Sequence, residues 1–395
     1  MSDGRIIMLL SLPDKPITGG EIYNSKLYNY LQRNFPLVEN ISWEPKPHRS
    51  KLQFLVNSII QNLSFLKILK DINGKTVIIE DISGCESLFL FNLLTTYLRR
   101  VLGKDVFLMP VVTHTYAPLI DNGIKRQIRS LQEWIFINSS DAIIVISEFT
   151  KVTVESILSG HKDIIIAYPG LNVSPQNNDS QNNDSLNNPD LNKPSSHGDT
   201  GIVKDPLSIH LLFVGYVIPR KGVDVLIKSL EILIKTYGFE NVILHIAGDL
   251  ERDPVFSKEI KDYCCSVGLE KNVWIYGRVS DKKLDELYNL SDIFVFPSLW
   301  EGFGMVLIEA MHNRLPIVTT DAGAIPYLVK DGINGFVVPA GDAKRLAQAM
   351  HKLIESPELR RQIGENNYQL ASKFTWDESF TGIKAFLDRE FANEK

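Results

Sequence analysis

The sequence predicts an α/β protein made of two halves, each built on a parallel sheet with helices packed over it. Three observations carry this. Short apolar runs of strand length alternate along the chain with stretches of helical periodicity, the order that a parallel sheet with crossover helices requires. Several of those runs end in a glycine turn that leads into a helix, and the carboxyl ends of such strands are where open parallel sheets bind ligands. Near the middle, from about Asn172 to Pro206, the composition shifts abruptly to Asn, Asp, Ser and Pro, with QNNDS repeated in tandem. Too little apolar surface remains there to offset the entropy of ordering, so this stretch reads as a disordered linker or tolerated insertion between the halves. At 395 residues and 44% apolar content, the chain is long enough for two cores of ordinary size.

The net charge of -5 gives no polyanion-binding signal, and it is uneven: residues 1–173 hold 18 Lys and Arg against 16 Asp and Glu, the remainder 24 against 31. The slightly basic first half is the one suited to approach an anionic surface. Cys85, Cys264 and Cys265 make neither a disulfide framework nor a metal-ligand spacing. No Asp-x-Asp pair stands at a strand end, so no metal is expected. A reducing, cytoplasmic setting fits this cysteine usage. The apolar run after Arg5 is too short for a signal peptide and lacks a cleavage site. No run approaches the roughly 18 apolar residues needed to span a bilayer.

In chain order, RIIMLLSLP (Arg5 to Pro13) reads as a buried strand, followed by the loop PITGG and a helix from about Glu21 to Asn34. Gly19 and Gly20 lie at that turn, where the residues alone favour a tight turn over a phosphate contact. From Lys51 to Lys70 the apolar positions Leu52, Leu55, Val56, Ile59, Ile60, Leu63 and Leu66 recur at helical spacing. A second apolar helix, from Glu86 to Leu102, ends in Arg99, Arg100 and Lys104. An amphipathic helix more often covers a sheet than a membrane, yet apolar faces ending in cations suit interfacial docking. A peripheral membrane contact through the first half is therefore an expectation. TVIIEDI (Thr76 to Ile82) and DVFLMPVVTHTY (Asp105 to Tyr116) each hold a strand, and His114 follows the second at its carboxyl end. DAIIVIS and DIIIAYPG close the first sheet, with Ser147 placed to cap the next helix.

The second half opens on SIHLLFVGYVIPRKGVDVLIKSL, a strand, a loop carrying Arg220 and Lys221, and an amphipathic helix. Adjacent cations are usually solvated. At a strand end beside a glycine and a helix start, they are placed to neutralise a diphosphate. Strands follow in VILHIAGD, VWIYGRV, DIFVFPS and LPIVTTD, with helices near Pro254 to Val267 and Asp281 to Leu290, and DGINGFVVPAGDAKRLAQAM gives a hairpin-like turn and a late helix. The most informative stretch is PSLWEGFGMVLIEAM (Pro297 to Met311). It joins a buried strand to a glycine turn and a helix whose first N–H groups have no intrahelical acceptor, so an anion fits there. Glu301 precedes the turn and Glu309 lies two helical turns on, a separation that suits hydroxyls at opposite ends of an extended, phosphate-bearing ligand.

A glutamate, seven residues and a second glutamate, with Gly-Phe-Gly between, resembles the motif of the family-four retaining glycosyltransferases (glycosyl transferases group 1) of the GT-B fold. The resemblance extends strongly from Leu211 to Gly341, including the pattern Gly215 to Arg220, Lys221 and Gly222, and loosely through the region before Asn172. It implies two Rossmann-like domains facing each other across a cleft: an acceptor domain over 1–171, the linker over 172–206, a nucleotide-sugar donor domain over 207–375, and a C-terminal helix over 376–395 crossing back to the first. It further implies that Glu301 contacts the donor sugar, that the amides around Gly302, Phe303, Gly304, Met305 and Val306 contact sugar and diphosphate, and that Glu309 holds the ribose. Arg220 and Lys221 would bind the diphosphate with Gly215 behind them, Gly19 and Gly20 would close on it, and the nucleobase would lie at Arg278 and Val279. His114 matches the family's strand-end histidine, which contacts the donor sugar near the reacting carbon. Thr115 follows it where the family often has Asp or Asn, and Tyr327 stands where many members have Glu after Pro326.

The function expected is metal-independent, retaining transfer of a hexose from a nucleotide diphosphate sugar, UDP favoured over GDP, to an acceptor hydroxyl. No cofactor beyond that donor is expected. The partners are the donor and a lipid or saccharide acceptor, the former suggested by the amphipathic helices, with a cytoplasmic location and a peripheral contact on the cytoplasmic membrane face. Three alternatives stand beside it: a polysaccharide or soluble sugar acceptor, an inactive nucleotide-sugar-binding regulator, and an epimerase or phosphorylase of the same fold. Nucleic acid is not an expected partner.

Overall fold

The computed structural model describes residues 4–41, 72–82, 92–115, 120–171 and 207–392, apart from positions 11, 14–15, 17, 73, 98, 100, 102, 104 and 121–122. The amphipathic helix expected over 51–70, most of that expected over 86–102 and the Asn/Asp/Ser-rich stretch lie outside the described residues. Residues 92–97 are helical.

Two six-stranded sheets form the frame. The first contains β1 (Arg5–Leu9), β2 (Val38–Asn40), β3 (Thr76–Asp81), β4 (Val106–Val112), β5 (Ala142–Val145) and β6 (Asp163–Ile166), in the order β2-β1-β3-β4-β5-β6. The second contains β7 (Ile209–Val214), β8 (Val242–Ala247), β9 (Val273–Gly277), β10 (Ile293–Phe296), β11 (Ile317–Thr320) and β12 (Gly335–Val338), in the order β12-β11-β10-β7-β8-β9. Every pairing between these strands is parallel. The predicted α/β class with two Rossmann-like sheets is what the chain adopts.

The strands read as unbroken apolar runs because both faces are covered. Along β1, Ile6 and Met8 join one apolar cluster and Ile7 and Leu9 another, the period-two alternation of a strand buried on each side. The helices over the first sheet include α1 (Gly19–Asn34), α2 (Gly123–Asn138) and α3 (Glu148–Ile157). Those of the second half are α4 (Val223–Lys235), α5 (Pro254–Val267), α6 (Asp281–Leu290), α7 (Met305–His312), α8 (Ile325–Leu328), α9 (Ala343–Glu355) and α10 (Pro357–Ala371). The last helix, α11 (Trp376–Ala392), packs on α1 and the first sheet: Phe380 meets Tyr23 and Tyr30, and Phe386 meets Phe107.

Short polar residues set the helix starts. Thr18 caps α1 through a reciprocal box with Glu21. As a result α1 begins at Gly19, and the paired glycines form its first turn rather than the loop before Glu21. Ser147 caps α3 by accepting from Thr150 N at 3.0 Å. Two further readings differ. The stretch after Asp331 is no hairpin, since β12 pairs parallel with β11 and only a local turn, Gly332 N to Gly335 O at 2.8 Å, precedes it. Helix α2 was not read from the sequence: its apolar positions are split between the core and solvent, with Phe136 and Ile137 fully buried and Ile124, Ile128 and Leu131 exposed, which blurs the stripe.

Candidate active site

The site grows from the carboxyl end of β10. Thr319 and Thr320 of the neighbouring strand donate their hydroxyls to Phe296 O at 2.7 Å and Ser298 O at 2.5 Å, which fixes where the chain leaves the sheet. The turn Pro219–Lys221 packs against this exit. Gly222 permits the contact: its φ is +68°, and a Cβ there would lie 2.0 Å from Pro297 O. Leu299 N then donates to Arg220 O at 2.8 Å, and Arg220 Nη1 donates to Trp300 O at 2.8 Å.

This backbone stitching carries Lys221 onto Glu301. Lys221 Nζ sits 2.5 Å from Glu301 Oε2 and 4.8 Å from the centre of the Phe296 ring, with both charged side chains largely shielded from solvent. Burial raises the Glu301 carboxyl, but the charge and hydrogen bond of Lys221, with the charge of Arg220, outweigh it and hold the group below the ordinary carboxylate value. Burial lowers the Lys221 ammonium while Glu301 opposes that shift. The pair is thus a shielded ion pair at neutral pH, and it depends on both members.

The loop then turns at Gly304, whose φ of +94° starts α7 without a side-chain cap. Leu307 N turns back to Gly304 O at 2.9 Å, and the amides of Met305 and Val306 at the helix start are placed for a ligand. Phe303 is packed inward against Tyr168 and Phe374, so it offers only its backbone. Met305 and Val306 are half-buried, and a Cβ on Gly19 would lie 3.2 Å from Met305 Sδ. The start of α1 therefore faces the start of α7 across the gap between the halves.

His114 closes the site from the first sheet. A Cβ on Gly302 would lie 2.9 Å from Thr113 O and 3.3 Å from His114 Cβ. The His114 ring stands edge-on to Trp300, with centres 5.1 Å apart, and its Nδ1 is 3.2 Å from Thr113 Oγ1. Burial first, then the positive charge of Arg220, pushes its pKa down to about 4. The imidazole is neutral at physiological pH. Ser147 adds a second tie between the halves, its hydroxyl donating to Gly302 O at 3.0 Å.

Arg220, Lys221, Glu301, the Gly302–Val306 backbone, Gly19 and His114 are thus brought together. Other predicted residues lie in neighbouring contacts. Glu309 accepts from Tyr288 OH at 2.9 Å, and burial raises its carboxyl. Arg278 pairs with Asp249 at 2.7 Å beyond β9, beside Val279, rather than with the Lys221–Glu301 pair. Gly215 carries φ +152°, and its carbonyl lies where a Cβ on Gly248 would be, 1.7 Å away, so it serves a close pass of two backbones. Gly20 has open space about its α-carbon. Among the described residues no group of three His, Cys, Asp or Glu is arranged as metal ligands would be.

Several contacts escaped sequence reasoning because the partners are remote in the chain. Gly323, at φ +59°, passes so close to Glu301 that a Cβ would lie 2.1 Å from Glu301 O, and Ala324 N donates to that oxygen at 2.8 Å. Trp300, Phe149 and Tyr288 likewise carried no local signal.

Residues 198–370 match the family Glycosyl transferases group 1. An uncharacterised glycosyltransferase of Methanocaldococcus jannaschii is 31% identical over 44% of this chain and 46% of its own length. The capsular polysaccharide biosynthesis glycosyltransferase CapM of Staphylococcus aureus is 36% identical over 44% of this chain and 46% of its own. The chain thus spans about half the length of the curated relatives it matches. Over nearly its whole length the fold matches sucrose-phosphate synthase of Thermosynechococcus elongatus, with a TM-score of 0.75 at 16% identity over 99% of this chain and 100% of the other. It also matches HepE of Anabaena, solved with UDP and glucose, with a TM-score of 0.67 at 18% identity over 98% and 100%. The chain has the GT-B fold, and over residues 198–370 it is similar to the glycosyl transferases group 1 family.

Proposed function

We propose that this protein is a retaining, metal-independent glycosyltransferase that moves a hexose from a UDP-sugar to an acceptor hydroxyl. The observation that carries the reading is the convergence of Arg220, the Lys221–Glu301 pair and the open amides of α7 at one strand end, facing a neutral His114. Departure of a nucleoside diphosphate develops negative charge on its oxygens and positive charge on the sugar. Fixed donors aimed at that negative charge are the strongest catalytic lever. Here the chain itself supplies them. Arg220 and Lys221 meet the diphosphate, joined by the amides at Gly304 and Met305.

The sugar lies between Glu301 and His114. An ionised Glu301 accepts from its hydroxyls and favours positive charge on the ring, and a neutral His114 hydrogen-bonds without repelling that charge. The acceptor oxygen bonds to the anomeric carbon as the bond from that carbon to the phosphate oxygen breaks. The electron pair leaves with the diphosphate, which takes up the acceptor's proton on the same face, and configuration is retained. Glu309 holds the ribose, and the base lies toward Arg278 and Val279. The UDP in the Anabaena neighbour favours uridine as the base.

A membrane glycolipid is the acceptor this reading favours. Leu93, Leu94, Tyr97 and Val101 are exposed near one another in sequence, and α2 exposes Ile124, Ile128, Leu131 and Trp134 beside Lys125 and Arg126, a composition suited to an anionic interface. Among the described residues no helix is long and apolar enough to cross a membrane. The name of CapM supports a polysaccharide acceptor as the second reading.

The test is nucleoside diphosphate release from UDP-glucose, UDP-galactose, UDP-N-acetylglucosamine and GDP-mannose, with and without mixed lipid vesicles. Release from one UDP-sugar stimulated by lipid is expected. Binding of nucleotide with no release from any donor would mark the protein as a binder instead.

A further inference from the structure

Beside His114 lies a cavity of about 130 Å³, lined among the described residues by His114, Thr115, Phe149, Thr150, Thr153 and Trp300. We propose that this cavity seats an uncharged pyranose ring of the acceptor, so that the acceptor presents a sugar, not a phosphate headgroup, to the reacting centre. The inference rests on the glycosyltransferase reading and extends it to the class of acceptor.

Three features carry it. The first is the aromatic corner. Trp300 stands edge-on to His114 at 5.1 Å and 65°, and to Phe149 at 6.4 Å and 73°, so two faces meet nearly at right angles. An apolar wall with a few fixed polar groups is how small-molecule sites hold and orient a ligand. The C–H face of a pyranose lies against aromatic rings, and its hydroxyl rim needs hydrogen-bond partners.

The second is the hydroxyl pair on α3. Thr153 Oγ1 donates its proton to Phe149 O at 2.9 Å, and Thr150 Oγ1 lies 2.8 Å from Ser147 Oγ and 3.4 Å from Thr113 O. With the Thr153 proton committed, that oxygen is an acceptor for a hydroxyl of the occupant.

The third is the charge pattern. Among the described lining residues there is no Lys, Arg, Asp or Glu. The nearest cations stand behind that lining and are already engaged: Arg220, 5.9 Å from the centre of the Trp300 ring, is bonded to Trp300 O, and Lys221 to Glu301. A phosphate entering here would lose its hydration with no paired charge, which is costly. A neutral ring would not. The lining also decides between donor and acceptor. Trp300 alone comes from the second half, and the other five residues come from the strand-end loop and α3 of the first. The occupant therefore approaches from the side opposite the diphosphate, with its hydroxyl toward His114.

The experiment measures saturation-transfer NMR of methyl glucoside, methyl galactoside and methyl N-acetylglucosaminide on the full chain with UDP present, with glucose 6-phosphate as the anionic probe. Phe149→Ala should weaken glycoside binding by about tenfold, and Thr153→Val by severalfold, with UDP affinity held within about twofold. The second variant keeps side-chain volume, so it separates lost contact from lost folding. The proposal is overturned if none of the glycosides binds, if both variants bind them like the wild type, or if glucose 6-phosphate is preferred. It is also overturned if the KM for the nucleotide sugar rises in step with the glycoside Kd, which would place the donor's own sugar in the cavity. Failure of the underlying reading shows differently. A wild-type chain that binds glycosides in this cavity yet releases no nucleoside diphosphate from any donor keeps the sugar site and loses the transferase.

Discussion

At the scale of single residues, the site turns on a buried cation that one carboxylate keeps charged. Lys221 has lost most of its water, and Glu301 at 2.5 Å offsets part of what burial removes. Lys221→Ala deletes a charge aimed at the leaving diphosphate and also strands Glu301 without its partner. Turnover should fall by at least about a hundredfold, in line with loss of one charge-stabilising group, while nucleotide binding falls less. A steady-state comparison of kcat and donor KM checks this, and undiminished kcat would remove Lys221 from the chemistry. Much of this cluster was legible beforehand, because strand, glycine turn and helix lie consecutively from Pro297 to Met311 and place the two glutamates by local geometry alone. The close backbone passes that hold it together were not. Gly222 against Pro297 O and Gly323 against Glu301 O are contacts across 75 residues and 22 residues of chain respectively, and a strained φ at a lone glycine reads in sequence like any other turn.

At the scale of elements, the second sheet carries a polar ladder inside an otherwise apolar core. His210 of β7, His245 of β8 and Tyr276 of β9 are linked across three strands, with ring nitrogens 2.8 Å apart and His245 Nδ1 2.8 Å from Tyr276 OH. Burial, then the neighbouring His210 and Lys283, pushes the His245 pKa down to about 3. In the unfolded chain the same imidazole titrates near its ordinary value of 6.5. The folded state thus binds fewer protons between those values. The contribution of His245 is whole above pH 6.5 and is lost as pH falls toward about 3, at up to about 1.4 kcal/mol per pH unit for one proton. Denaturant unfolding of the wild type and His245→Phe across pH 7 to 4 should show the shallower slope in the variant. Equal slopes would mean that this imidazole does not govern acid stability. The strands of this ladder were legible as apolar runs bounded by turns. The ladder was not, because which residues of three strands share a rung depends on register. Helix α2 was hidden for another reason. Its buried Arg129–Glu133 pair puts charge at core positions, 4% and 2% exposed, and Ile124, Ile128 and Leu131 face solvent, so the usual pattern is inverted ahead of the buried Phe136 and Ile137.

At the scale of the whole molecule, the end of the chain returns to brace its beginning. After α10 the chain passes Gly170, where a Cβ would lie 2.4 Å from Trp376 N, and Leu171 N donates to Phe374 O at 2.9 Å. Helix α11 then runs along the first sheet, with Phe380 fully buried against Tyr23, Tyr30 and Trp376, Phe391 against Phe35, and Lys75 Nζ bonded to Glu390 O at 2.6 Å. A helix attached covalently to the second half thus completes the core of the first, and α1, whose start faces Met305 across the cleft, is the element it holds. Phe380→Ala should destabilise this region by about 3–5 kcal/mol, the cost of emptying a buried aromatic site. The loss should be local at first: amide exchange should quicken in α1, β1 and α11, whose aromatic rings or neighbours Phe380 meets, well before β7, β8 and β10 of the second sheet. Because Gly19 begins α1 opposite Met305, loosening that helix should also raise the donor KM while Lys221 and Glu301 stay in place. Uniform acceleration of exchange across both sheets would mean instead that the two halves unfold as one unit, with α11 coupling them rather than serving the first alone.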